Sequence, residues 1–242
     1  MMALVDHLFI LALFVVQPVV GALEHRRFRR RIDAGEPPDR LRVYRRVVLL
    51  EWATFAVLLG AWGWLDRPAA LLGFSAPVGT GFAVAAGITL LVSILLAVQW
   101  RAAIRMTEPA RVKLRAAFGF VAHFLPQTDR ELRGMLRASV TAGIVEETLY
   151  RGFAIWYVGT WIGVPAAVVL TSVAFGLGHL YQGGTGALRA GLVGLALAGL
   201  FVLSGSLWVP IAAHMLLDVL QGLMIREVYR PGAEPPVAAS VG

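Results

Sequence analysis

The chain has 242 residues, of which 58% are hydrophobic and 15% charged. A soluble globular chain is nearer about 45–50% apolar and about 25% charged, so this balance excludes a water-soluble domain and indicates a polytopic membrane protein. There is no cysteine, which excludes disulfides, thiolate metal sites and cysteine nucleophiles. The net charge of +7 does not point to nucleic acid. Nearly all the arginines lie between hydrophobic stretches, where basic residues set topology.

The first predicted span covers residues 3–23. Its start, Met1-Met2-Ala3-Leu4-Val5-Asp6-His7, lacks a basic region, although Val20-Gly21-Ala22 loosely resembles a signal-peptidase site. The strongly basic residues that follow oppose export of that flank, so the segment is expected to stay in the membrane. Residues 24–46 read as a polar loop with arginines at 26, 27, 29, 30, 31, 40, 42, 45 and 46, and Gly35-Glu36-Pro37-Pro38 marks a turn within it. A second span follows over 47–65, with Trp52, Trp62 and Trp64 as candidate interfacial anchors. A third covers 78–100.

Residues 101–137 form a second basic region. Within it, Ala116 to Phe124 is apolar but too short to cross a bilayer, which takes about 20 residues. It reads as an interfacial helix, with His123 as an ordinary interfacial histidine. Further spans are predicted over 138–158, 164–179, 188–203 and 207–224, with Gln182-Gly183-Gly184-Thr185-Gly186 as a turn. The fold expected is therefore all-α: one integral membrane domain over 1–230, about seven spanning helices and a short interfacial helix. A Pro/Gly/Ala-rich tail over 231–242 is expected to be disordered. The positive-inside rule puts both basic segments and the C-terminus in the cytoplasm and the N-terminus outside, with the plasma (inner) membrane as the expected location.

The stretch Thr141-Ala-Gly-Ile-Val-Glu146-Glu147-Thr-Leu-Tyr-Arg151 is costly in such a setting. A charged side chain at the centre of a bilayer helix costs roughly 2.5 to 3.5 kcal/mol on insertion scales. In a helix, Glu147 and Arg151 stand at i and i+4 and can pair, while Glu146 lies about 100° further round. Phe175-Gly-Leu-Gly-His179 closes the fifth span, and His214-Met-Leu-Leu-Asp218, again with i,i+4 spacing, lies in the seventh. Three spans that each carry ionisable residues point to one shared site. Glycines 143, 152, 176, 178, 194 and 199 would let those helices pack closely. Phe175 reads as a wall of the site. Glu146 beside an imidazole can act as general base on a water and then return the proton. That chemistry is hydrolysis without a covalent intermediate.

The patterns Glu146-Glu147-x-x-x-Arg151, Phe175-x-x-x-His179 and His214-x-x-x-Asp218 resemble the three-motif signature of the CPBP family. These are the type II CAAX prenyl proteases and their bacterial relatives, also described as an Abi family. The resemblance covers about Arg137 to Met224. It implies a helical intramembrane glutamic endopeptidase in which Glu146 and His179 activate water. By the same resemblance Glu147 and Arg151 are structural or substrate-orienting, and His214 lies near the oxyanion. The family often has asparagine where Asp218 stands. An ionised carboxylate would repel an oxyanion, so Asp218 is expected to hold and charge His214 from behind.

The substrate expected is a membrane-bound peptide or protein, cleaved near its C-terminus and reached from the cytoplasmic side of the bilayer. The other function class is a non-catalytic relative, such as a bacteriocin-immunity or scaffold protein, or a proton-coupled transporter using the same charges. No His-Glu-x-x-His, Gly-x-Gly-Asp or Gly-x-Ser-x-Gly pattern is present. No cofactor is expected, although Glu146, His179, His214 and Asp218 are residue types that suit zinc. Depth poses one difficulty. With spans starting at 138 and 207, Glu146 lies about 12 Å inside one face, His179 lies at that same face, and His214 is counted from the other. Their meeting needs tilt, a deeper start or a bend.

Overall fold

The structure, a computed structural model, describes residues 2–76, 78–118 and 122–230. Eight helices and no strand are found among them. Helices α1 (Leu4–Asp33), α2 (Arg40–Trp64), α3 (Thr80–Ile104), α7 (Gly184–Ser204) and α8 (Trp208–Val228) are each long and apolar enough to cross a membrane. Helix α4 (Glu108–Phe118) is short and polar. Helix α5, residues 129–162, joins Asp129–Glu147 to Ile155–Ile162 through a π-helical stretch, Thr148–Ala154. Helix α6 (Val164–Gly178) is apolar but has only 15 residues. The all-α bundle expected from composition is present. Five helices meet the length and composition needed for a span, where the hydropathy pattern suggested about seven. The other two, α5 and α6, carry the acidic motif and the Phe175–His179 motif.

Several boundaries differ from the sequence reading, for one physical reason. The basic segments are helical extensions rather than loops. Arginine is a good helix former, and nothing stops α1 until Gly35, at φ 81°, and the two prolines after it. Helix α5 likewise starts at Asp129 rather than Ala138. Thr128 and Glu131 cap it: Thr128 Oγ1 accepts from the Glu131 amide at 3.2 Å, and Glu131 Oε2 accepts from the Thr128 amide at 3.0 Å. In place of the helix expected over Ala116–Phe124, α4 ends at Phe118; residues 119–121 lie outside the described residues, as does the tail 231–242.

The earlier start of α5 removes the difficulty of depth for the two glutamates and His214. Arg226 of α8 donates to Asp129 at 2.8 Å, so the first turn of α5 lies level with the last turns of α8. The two helices then run side by side. Glu147 then lies deep along α5, and its Oε1 meets His214 Nδ1 of α8 at 2.7 Å. Close approach is possible there because of Gly143. A Cβ at that position would lie 2.4 Å from Met215 Cγ and 3.3 Å from the Ile211 carbonyl oxygen. Gly176 does the same between α6 and α7, where a Cβ would meet the Ala187 carbonyl oxygen at 2.7 Å. Much of α3 turns outward, with Leu90, Leu91, Ile94, Leu95 and Val98 exposed, as suits a lipid-facing helix.

At the other end of the bundle α1 is tied down by charge. Arg67, in the α2–α3 connection, donates two hydrogen bonds to the Asp6 carboxylate, both 2.7 Å long. Its guanidinium packs 5.0 Å from the ring centres of both Trp62 and Trp156. Trp62 is therefore a core residue, 4% exposed, and not the interfacial anchor expected of it. Removing one member of such a pair leaves the other charge uncompensated, at a cost of about 3–5 kcal/mol when buried. Arg67→Ala is expected to lower the unfolding temperature in detergent markedly. Arg67→Lys should do so less than Arg67→Ala but still measurably, because it keeps the charge and loses the fork. Unfolding curves for the two variants measure this, and wild-type stability in Arg67→Ala would remove the clamp from the account.

Candidate active site

The acidic motif sits where α5 changes its winding. Glu146 and Glu147 are the last residues of regular α-helix before the π-helical stretch Thr148–Ala154. Such wide turns occur often at functional sites. All seven residues of the stretch are buried, Arg151 among them at 1% exposed, and Glu147 is 0% exposed.

The i,i+4 pair closes. Arg151 Nη1 donates to Glu147 Oε1 at 2.8 Å, and Nη2 donates to the Gly194 carbonyl of α7 at 2.9 Å. The guanidinium also lies over the Phe175 ring, 4.4 Å from its centre, a favourable cation–π placement. The wall residue Phe175 thus holds the arginine of the neighbouring motif.

Glu147 has a second partner. His214 Nδ1 is 2.7 Å from the same Oε1. That oxygen belongs to a carboxylate already paired with arginine, so Nδ1 donates and Nε2 is the nitrogen left for other contacts. Nε2 lies 3.7 Å from Asp218 Oδ2 and 4.0 Å from Glu146 Oε2. The i,i+4 spacing pointed to Asp218 as the residue behind His214. In the structure Glu147 takes the Nδ1 side, and Asp218 shares the Nε2 side with Glu146.

His179 ends α6. Its Nδ1 donates to the Phe175 carbonyl at 2.8 Å, and its ring lies 4.5 Å from Phe175 and 5.7 Å from Tyr181, centre to centre. This also leaves Nε2 as its lone-pair nitrogen. No hydrogen bond or ion pair joins His179 to Glu146 among the described residues. The end of α6 is supported by α1. Tyr150 OH donates to Gln17 Oε1 at 2.8 Å, and both side chains lie against Gly178, where a Cβ would meet them at 3.2 Å.

Two contributors were not found from the sequence. One is the Gln17–Tyr150 pair, whose members are 133 positions apart and whose uncharged side chains give no hydropathy signal. The other is Glu51 of α2. Its carboxyl interacts electrostatically with Glu146, His214 and Asp218, and its Oε2 is buried without a hydrogen-bond partner. A signal was present: Glu51 is the one charged residue in 47–65, seven positions from both Tyr44 and Leu58, which are buried. The residue types present would suit zinc, but among the described residues no three histidine or acidic side chains converge as a metal-ligand group.

A family model described as type II CAAX prenyl endopeptidase Rce1-like matches residues 129–220. The matched residues run from the first turn of α5 into α8 and hold all three motifs, so this segment is similar to that family's domain. Helices α1 to α4, with Gln17 and Glu51, lie outside the matched residues. No curated protein and no solved structure matches the chain.

Within the matched segment the linked residues Arg151, Glu147 and His214 yield a test. Arg151→Ala takes from buried Glu147 its arginine partner, leaving it His214 alone, and is expected to destabilise the protein by about 3–5 kcal/mol. The double change Glu147→Gln with Arg151→Met should recover folding better than either single change. Unfolding in detergent compares all three variants. If Arg151→Ala is as stable as wild type yet inactive, the arginine belongs with the substrate instead.

Proposed function

We propose that the protein is an intramembrane endopeptidase. It hydrolyses a peptide bond near the C-terminus of a membrane-bound or lipidated substrate, with access from the cytoplasmic side, by means of a water activated by Glu146 and His179. The observation that carries this reading is the linked set Arg151–Glu147–His214, which fixes one imidazole with its Nε2 beside Glu146 and Asp218 in the interior of an apolar bundle. The family match supports peptidase chemistry for the same segment.

In this reading water lies between Glu146 and His179 Nε2. Glu146 takes a proton as the water oxygen bonds to the scissile carbonyl carbon, and the carbonyl electron pair moves to oxygen. His214, carrying a proton on each nitrogen, faces that oxygen through Nε2. Glu147 balances it from behind, and Asp218 lies 3.7 Å from the same Nε2. The carbon–nitrogen bond then breaks, and the leaving nitrogen takes the proton from Glu146. The site lies in a water-poor interior, where fixed charges act more strongly than in solution.

The experiment uses the full chain in nanodiscs with a farnesylated peptide ending in a CAAX sequence, alongside a membrane proteome compared between a deletion strain and a Glu146→Gln strain. Glu146→Gln and His179→Ala should each abolish cleavage while the protein stays folded. The double variant should be no worse than either single, since parts of one unit are not additive. Full cleavage by either single variant refutes the assignment. A separate trial concerns metal: activity should survive exhaustive chelation, and loss with recovery on added zinc would replace this reading with a metal-dependent one.

A further inference from the structure

Glu51 is the buried acid that the reading above does not use. It lies on α2, outside the matched residues in sequence but on a helix that packs against α5, and it interacts electrostatically with Glu146, His214 and Asp218. Four carboxyl groups share this interior: Glu51, Glu146, Glu147 and Asp218. The cations available are Arg151 and, if protonated, His179 and His214. Four negative charges thus face at most three positive ones. Glu146 and Asp218 are 15% and 31% exposed, whereas Glu51 Oε2 is buried without a partner; a carboxylate with neither cation nor water is costly, so a carboxyl so placed keeps its proton.

Geometry indicates which one. Glu147 has Arg151 at 2.8 Å and His214 at 2.7 Å. Glu146 and Asp218 have His214 Nε2 at 4.0 and 3.7 Å. Glu51 has no ion pair and no hydrogen bond among the described residues, and its Oε2 is out of contact with solvent. The groups that face it are Glu146 from α5, His214 and Asp218 from α8, and the Tyr181 hydroxyl from the turn after α6. Two of these four are acids that would repel its charge. Buried polar groups are almost always hydrogen-bonded. One left unpaired next to a reaction centre is available to a group the chain does not supply.

We propose that Glu51 is a further catalytic residue of this site, whose carboxyl O–H donates a hydrogen bond to the carbonyl oxygen of the bond being cleaved. The proposal rests on the endopeptidase reading. As the water oxygen bonds to carbon, the carbonyl pair moves to oxygen, and the Glu51 hydrogen bond tightens on the charge that develops. Glu51 keeps its own proton throughout. The carbonyl re-forms as the carbon–nitrogen bond breaks, and the nitrogen takes the proton that Glu146 removed from water. Among the four carboxyl groups a protonated Glu51 is the one placed to donate, because an ionised Asp218 cannot. Such a donor acts on the transition state more than on the bound substrate.

Two measurements test this on the full chain in nanodiscs. The first is infrared spectroscopy of protonated carboxyl groups, which needs no turnover. The wild type should show an acid carbonyl band at neutral pH that Glu51→Gln removes. In a Glu146→Gln background, adding the farnesylated CAAX peptide should move that band. The second is kinetics. Glu51→Leu should lower kcat on the order of 10²- to 10³-fold, with KM changed by no more than roughly threefold. Glu51→Gln, whose amide can still donate, should lose no more than about tenfold. The acid form of Glu51 is lost as pH rises, whereas the glutamine does not titrate. Glu51→Gln should therefore keep its activity further into the alkaline range than wild type.

The proposal is overturned if no band depends on Glu51, if the peptide leaves the band unmoved, if Glu51→Leu keeps wild-type kcat, or if Glu51→Gln is as inactive as Glu51→Leu. A wild type that cleaves nothing, yet shows the band and its shift, would instead remove the endopeptidase reading and leave Glu51 as a donor to a bound peptide.

Discussion

The constraint behind this architecture is the burial of Arg151 and Glu147. Neither can stand alone inside an apolar bundle, and each fixes a neighbour. Arg151 reaches the Gly194 carbonyl of α7 and the face of Phe175 on α6, while Glu147 takes His214 of α8. One ion pair on α5 thereby ties together α6, α7 and α8. A buried pair of this kind contributes little net stability against a well-packed apolar alternative. Its value lies in the single arrangement it allows.

Backbone approach makes that arrangement reachable. Gly143 lets α5 lie against α8, and Gly176 lets α6 lie against α7. The wide turn Thr148–Ala154 changes the winding of α5 just beyond the two glutamates. Both histidines are locked at Nδ1, His214 by a carboxylate and His179 by a backbone carbonyl. In each case Nε2 is left for other contacts. Orientation by a second group is a common way of holding an imidazole in the tautomer its task needs.

The fold class was legible in the sequence because 58% apolar composition leaves few alternatives. The three motifs were legible because charge in hydrocarbon is costly. The ends of helices were not. Hydropathy marks the width of the hydrocarbon, whereas the arginine-rich parts of α1 and α2 and the first turns of α5 continue as helix into polar surroundings. The partner of His214 was misread for a similar reason: spacing along α8 sees Asp218 four residues on, but only packing between helices sees Glu147. Glu51 and Gln17 belong to helices with no family pattern, and their roles come entirely from neighbours distant in sequence.

The central claim is that Glu147 and His214 act as one electrostatic unit within the membrane. A double-mutant cycle with Glu147→Gln and His214→Asn, read by reversible unfolding in bicelles, measures it most directly. Residues in such contact show coupling of about 0.5–3 kcal/mol, and the account expects a value in the upper half of that range, with the double variant more stable than the sum of the two single losses. Additive losses would mean that His214 stands beside Glu147 without depending on it, and would contradict the account.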